Sequence, residues 1–116
     1  MTDITFYHNP RCSKSRETLA LVDNEQHQVE IIKYLTTPPS VETITQLIKQ
    51  LGFDSARQLM RTKESVYKEL NLAEEEDEVA LIAAMQANPK LIERPIVVAN
   101  GKAAIGRPPE SVLSIL

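Results

Sequence analysis

Residues 8–16 read HNPRCSKSR, and the rest of the chain is organised around them. Just before and into this stretch, Ile4-Thr5-Phe6-Tyr7-His8 alternates and is rich in β-branched and aromatic residues, which predicts a strand. Asn9-Pro10 breaks it. From Ser13 onward the residues suit a helix, with Leu19 and Val22 spaced for one buried face. Cys12, the only cysteine, therefore falls in a strand-to-helix turn, at the first turn of that helix. Backbone N–H groups there lack intrahelical partners, and the positive end of the macrodipole favours an anion. Arg11, Lys14 and Arg16 lie close by, with no acid between Asp3 and Glu17. Each feature favours thiolate over thiol, and the thiolate is the nucleophile. A lone cysteine is often only a small buried hydrophobe. Here the three residues after it are polar or charged, so a reactive thiol is the better reading.

Outward from this turn, residues 29–35 (VEIIKYL) read as a second strand, and a βαβ unit of this spacing is parallel and right-handed. Thr36-Thr37-Pro38-Pro39 stops it. Ser40 is placed to cap a helix whose Val41, Ile44, Leu47, Ile48 and Leu51 form a core-facing stripe, ending at Gly52. Shorter helical pieces follow: one capped by Asp54 or Ser55 and running through Arg61, another over residues 65–70. Five of the sixteen acidic residues fall in Glu74-Glu75-Glu76-Asp77-Glu78, just before Val79, Leu81, Ile82 and Met85. Negative charge suits a helix start, and no His or Cys accompanies the run, so it is not read as a metal site. Asn88-Pro89 ends that helix. Ile96-Val97-Val98-Ala99 is a third strand, Asn100-Gly101 a hairpin turn, and residues 102–105 its antiparallel partner. Arg94-Pro95 is a candidate cis peptide. Beyond Gly106-Arg107-Pro108-Pro109, residues 110–116 read as a last helix. The expectation is an α/β chain: a mixed four-stranded sheet flanked by helices, in one domain over 1–116, with a helical insertion at about 40–92 between the second and third strands.

A 116-residue chain with 42% apolar and 25% charged residues is ordinary for one globular domain. A net charge of −3 argues against general nucleic-acid affinity. Residues 4–16 and 94–109 nevertheless carry bases and no acids, a pairing suited to a small anion. One cysteine excludes an internal disulfide and a CxxC centre. No signal-peptide pattern or long apolar run is present, so no membrane association is expected and a reducing, cytoplasmic setting is.

Four motifs carry a wider resemblance: HNPRCSKSR, Ser55-Ala56-Arg57-Gln58-Leu59-Met60-Arg61, Glu93-Arg94-Pro95-Ile96-Val97-Val98 and Gly106-Arg107-Pro108-Pro109. In this order, on a β-α-β then β-β-α frame, they resemble the glutaredoxin-coupled arsenate reductase family, ArsC-like proteins of thioredoxin fold. The resemblance implies that Cys12 is the nucleophile and that Arg61, Arg94 and Arg107 bind the oxyanion. It implies that His8, Ser15 and Arg16 support the thiolate. It also implies no bound cofactor, glutathione as co-substrate and glutaredoxin as protein partner. Cys12 would attack arsenate to give a covalent adduct, glutathione would add, and glutaredoxin would resolve the mixed disulfide as arsenite leaves.

The residue chemistry is compatible with that implication. Arsenate is a tetrahedral oxyanion, and arginine offers a planar, permanently charged fork that binds two oxygens at once. Ser15, three residues after Cys12, cannot close a disulfide, so an external thiol must complete turnover. Two other functions use the same frame. A glutathione-dependent thiol oxidoreductase needs Cys12 but not all three arginines. A polymerase-binding redox regulator needs a second cysteine for its switch, which this chain lacks.

Overall fold

Alternation in the first residues becomes strand β1 (Thr2–Tyr7), which buries Ile4 and Phe6. Helix α1 (Ser13–Val22) follows, and β2 (His27–Ile32) lies parallel to β1, as a βαβ crossover requires. β3 (Ile96–Ala99) pairs antiparallel with β1, and β4 (Lys102–Ile105) antiparallel with β3. The order β2-β1-β3-β4 is the expected mixed four-stranded sheet. The hairpin closes through Asn100 and Gly101 at φ 54° and 75°, the left-handed pair that a type I′ turn demands. The computed structural model describes residues 2–116.

Two compact units make up the chain, one running to Thr37 and resuming at Arg94, the other spanning Pro38–Glu93. In the first, Ile4, Phe6, Val97 and Ala99 of the sheet pack with Val22 of α1 and Val112. Leu19, Val29, Ala104, Ile115 and Leu116 close around them. Fully burying a side chain of this kind contributes about 1.5–3 kcal/mol, so this face holds the strand that delivers Cys12.

Three local expectations change in the first unit. β2 begins two residues earlier than read and stops at Ile32, because His27 and Gln28 pair with Thr2 and Asp3 through backbone alone. Residues 34–36 form a turn instead, with the Tyr34 side chain buried. The face of α1 is carried by Ser15 and Thr18 with Val22, while Leu19 is only half-buried. The last helix is a 3-10 segment, Pro109–Ile115, with proline at its first position.

The second unit is the helical insertion between β2 and β3. Ser40 Oγ accepts the Thr43 N–H at 3.1 Å and starts α2 (Val41–Gln50), which buries Ile44, Leu47 and Ile48. Gly52 at φ 75° follows its end. The expected helix through Arg61 is a short 3-10 turn, Ala56–Leu59, opened by a Ser55–Gln58 capping box. It stops there because Met60 bridges to Ile92. α3 (Ser65–Glu69) and α4 (Glu78–Ala87) complete the unit. The acidic run does begin a helix: Asp77 accepts the Val79 N–H at 3.0 Å. Glu78 reaches further, accepting from the Ala56 N–H at 2.6 Å and the Ser55 hydroxyl at 2.9 Å. Arg57 ties the loops together by donating to Tyr67 Oη and to the carbonyls of Leu72 and Glu75.

Candidate active site

Asn9 shapes the turn. Its carbonyl accepts the Cys12 N–H at 3.0 Å, and its Oδ1 accepts the Arg11 N–H at 3.1 Å. Cys12 thereby sits as the N-cap of α1, in extended backbone, and its own carbonyl accepts the Arg16 N–H at 3.1 Å to begin the helix. Cys12 is only 8% exposed. Burial alone would push this thiol up. Backbone N–H groups of Ser15 and Lys14, the Arg94 charge and an Arg94 side-chain hydrogen bond outweigh burial and hold it below the ordinary cysteine range. Arg107 Nη2 donates to the same sulfur at 3.6 Å, and Arg107 Nε donates to the Arg94 carbonyl at 2.8 Å. Both arginines precede prolines in cis peptides, Arg94-Pro95 as expected and Arg107-Pro108 in addition.

Ser15 and His8 form a buried pair beneath this turn. Ser15 Oγ accepts the Asn9 N–H at 3.0 Å and shares a 2.6 Å hydrogen bond with His8 Nδ1. The serine therefore meets the thiolate through its backbone, and its hydroxyl serves the turn and the histidine. Burial, then Lys33 and Arg16, lower the proton affinity of His8, which favours its neutral form. Arg16 Nη1 donates to the Pro10 carbonyl at 3.0 Å, strapping the turn from outside. The cation that lowers the thiol is thus Arg94, from a distant part of the chain, where the neighbours Arg11, Lys14 and Arg16 were expected to act. Lys14 is exposed and its ammonium lies 3.5 Å from Glu17.

Gly106 sets the spacing of these groups. A Cβ there would lie 2.4 Å from Thr18 Oγ1 and 2.9 Å from Pro95 Cγ. Only glycine lets the end of β4 pass so close to α1 and Pro95, with Arg107 next in sequence.

Cys12, His8, Ser15, Arg16, Arg94 and Arg107 all belong to the first unit, and Arg61 belongs to the second. Its N–H donates to the Leu91 carbonyl at 2.7 Å, which fixes its backbone. Its Nη1 donates to Glu64, and its Nε lies 4.0 Å from Glu93 Oε1. Sequence reasoning overlooked Glu64, although an acid three residues after an arginine is a recognisable local pair. It also overlooked Asn9 as the organiser of the turn. Among the described residues no group of His, Cys, Asp or Glu is arranged to hold a metal ion. No described helix is long and apolar enough to cross a membrane.

Comparison with known proteins gives one consistent result. Residues 7–115 match the ArsC family. The chain is 50% identical over 114 residues to "Arsenate reductase" of Haemophilus influenzae, covering 97% of this chain and 98% of that protein. It is 60% identical over 114 residues to "Uncharacterized protein YfgD" of Escherichia coli, covering 97% of this chain and 96% of that one. The solved structure of "Arsenate reductase from Vibrio cholerae" superposes with a TM-score of 0.95 at 57% identity, covering 99% of this chain and 98% of the other. A family match along nearly the whole length, with a superimposable fold, places this thioredoxin-like chain in the ArsC family.

Proposed function

We propose that this protein is an arsenate reductase in which Cys12 is the nucleophile and Arg94 and Arg107 bind the oxyanion. Arg61 acts as a third oxyanion ligand in this reading, from its match to the family motif. The observation that carries it is the Arg107 guanidinium 3.6 Å from the Cys12 sulfur, where a bound oxyanion and the attacking thiolate would share the same donors. Relatives named arsenate reductase at 47% and 50% identity favour this substrate over other tetrahedral oxyanions.

In the first step the Cys12 thiolate forms a sulfur–arsenic bond, and one arsenate oxygen departs as water after taking up protons. Glutathione thiolate then attacks the Cys12 sulfur. The sulfur–arsenic bond breaks with its electron pair going to arsenic, which is reduced from arsenic(V) to arsenic(III) and leaves as arsenite. Two thiols have supplied the two electrons and remain as a Cys12–glutathione disulfide. Glutaredoxin reduces that disulfide and restores the thiolate. His8 and Ser15 hold the turn in shape, with Arg16 bracing it from outside.

Arsenite release in the presence of glutathione and glutaredoxin tests the proposal. Wild type should turn over and Cys12→Ser should not. A wild type that makes no arsenite, while still reducing glutathione mixed disulfides, would make the protein a thiol oxidoreductase.

A further inference from the structure

The Arg61 side chain already has carboxylate partners. Its Nη1 is engaged by Glu64, and the Glu93 carboxylate lies 4.0 Å from its Nε. Both carboxylates belong to the same unit as Arg61, Pro38–Glu93. All three side chains are partly accessible, at 30% for Arg61, 26% for Glu64 and 27% for Glu93. An incoming dianion approaching Arg61 meets a guanidinium already paired with the Glu64 carboxylate.

We infer that Glu64 is a specificity-determining residue that competes with the oxyanion for Arg61 and so weakens anion binding. This rests on the reading of Arg61 as an oxyanion ligand given above. The physical reasoning turns on what a neutral isostere keeps and loses. Glutamine at position 64 retains a carbonyl oxygen to accept the Arg61 Nη1 hydrogen bond, so the arginine keeps its posture. It removes one negative charge from the guanidinium, which then presents its full charge to an anion. The acid therefore raises the concentration at which arsenate, or its abundant analogue phosphate, occupies the site.

The experiment compares wild type, Glu64→Gln, Arg61→Ala and the double variant. Inorganic phosphate affinity is measured by calorimetry, and the arsenate KM and kcat are measured with glutathione and glutaredoxin. Thermal melts verify that each variant is folded. Glu64→Gln should tighten phosphate binding and lower the arsenate KM by about two- to fivefold, as removal of a partly exposed ion-pair partner permits. Arg61→Ala should weaken both, and Glu64→Gln should have no effect in that background. If Arg61→Ala weakens binding but Glu64→Gln leaves it unchanged or weakens it too, Glu64 holds Arg61 in place and competition is wrong, while the reading of Arg61 survives. If Arg61→Ala changes neither quantity, Arg61 is outside the anion site and the inference falls with that part of the reading. Phosphate that binds neither wild type nor Glu64→Gln overturns the inference as well.

Discussion

Arg107 and Cys12 stand 95 positions apart in sequence, yet the guanidinium Nη2 lies 3.6 Å from the sulfur. The same side chain uses Nε to hold the Arg94 carbonyl at 2.8 Å. The Cys12 sulfur and the backbone of Arg94 are thereby tied to one another by a single side chain. Arg107→Ala should cost a charge-assisted contact of roughly 1.5–3 kcal/mol, or about ten- to a hundred-and-fifty-fold in arsenate kcat/KM. Arg107→Lys should recover only part of that, because a point charge cannot serve both the Arg94 carbonyl and the sulfur side. Steady-state kinetics reads both, and activity within twofold of wild type for Arg107→Ala would contradict the proposed role.

The Cys12 thiol should titrate below the roughly 8.5 of free cysteine. Iodoacetamide alkylation measured against pH reports the midpoint. Arg94→Ala should move it upward, since Arg94 supplies both a charge and a hydrogen bond to the thiolate. At neutral pH that variant should therefore alkylate more slowly. Arg11→Ala should shift it little, because this exposed side chain acts on the sulfur only through solvent.

His8 should make folding stability depend on acid. Its proton affinity is lowered in the folded protein, so below about pH 6.5 the unfolded chain binds a proton that the folded chain resists. Stability should fall as pH drops through this window and gain nothing from His8 above it. Urea midpoints at pH 7 and pH 5 should converge in His8→Gln relative to wild type. Ser15→Ala removes the buried acceptor of the Asn9 N–H and the partner of His8 Nδ1, and should cost about 1–3 kcal/mol at pH 7.

Gly106→Ala should destabilise by about 1–3 kcal/mol through overpacking against Thr18 and Pro95. Adding Thr18→Ala removes two of the three crowding atoms, Thr18 Oγ1 and Cγ2, and should restore part of the loss in a urea titration. Additive effects of the two substitutions would mean that Gly106 is not spaced by Thr18.

What the sequence reveals about this fold is mostly local. The strand–turn–helix around Cys12, the Ser40 cap, the Asp77 helix start and the Asn100-Gly101 hairpin are written in adjacent residues, and each forms where it was expected. Boundaries set by tertiary pairing were less legible. Polar His27 and Gln28 enter β2 because an edge strand needs only backbone partners, and the helix before Arg61 ends because Met60 pairs with Ile92. The buried hydroxyls of Ser15 and Thr18 break the apolar pattern of α1, since hydrogen bonds to Asn9, His8 and the Lys14 carbonyl satisfy them. At the site, the cysteine announced itself, whereas Arg94, the cation that stabilises its thiolate, was reached only through the resemblance of its motif. Arg94 is brought to Cys12 by strand order, and charge near Cys12 in sequence pointed instead to Arg11, Lys14 and Arg16.

Mass spectrometry of Cys12 after incubation with glutathione, with and without arsenate and without glutaredoxin, separates arsenate reduction from simple thiol exchange. One glutathione should appear on Cys12 per chain only when arsenate is present, together with an equal amount of arsenite, and glutaredoxin should then remove it. Glutathione that couples to Cys12 equally well without arsenate, or arsenate that leaves the thiol unmodified, would contradict the proposed reaction.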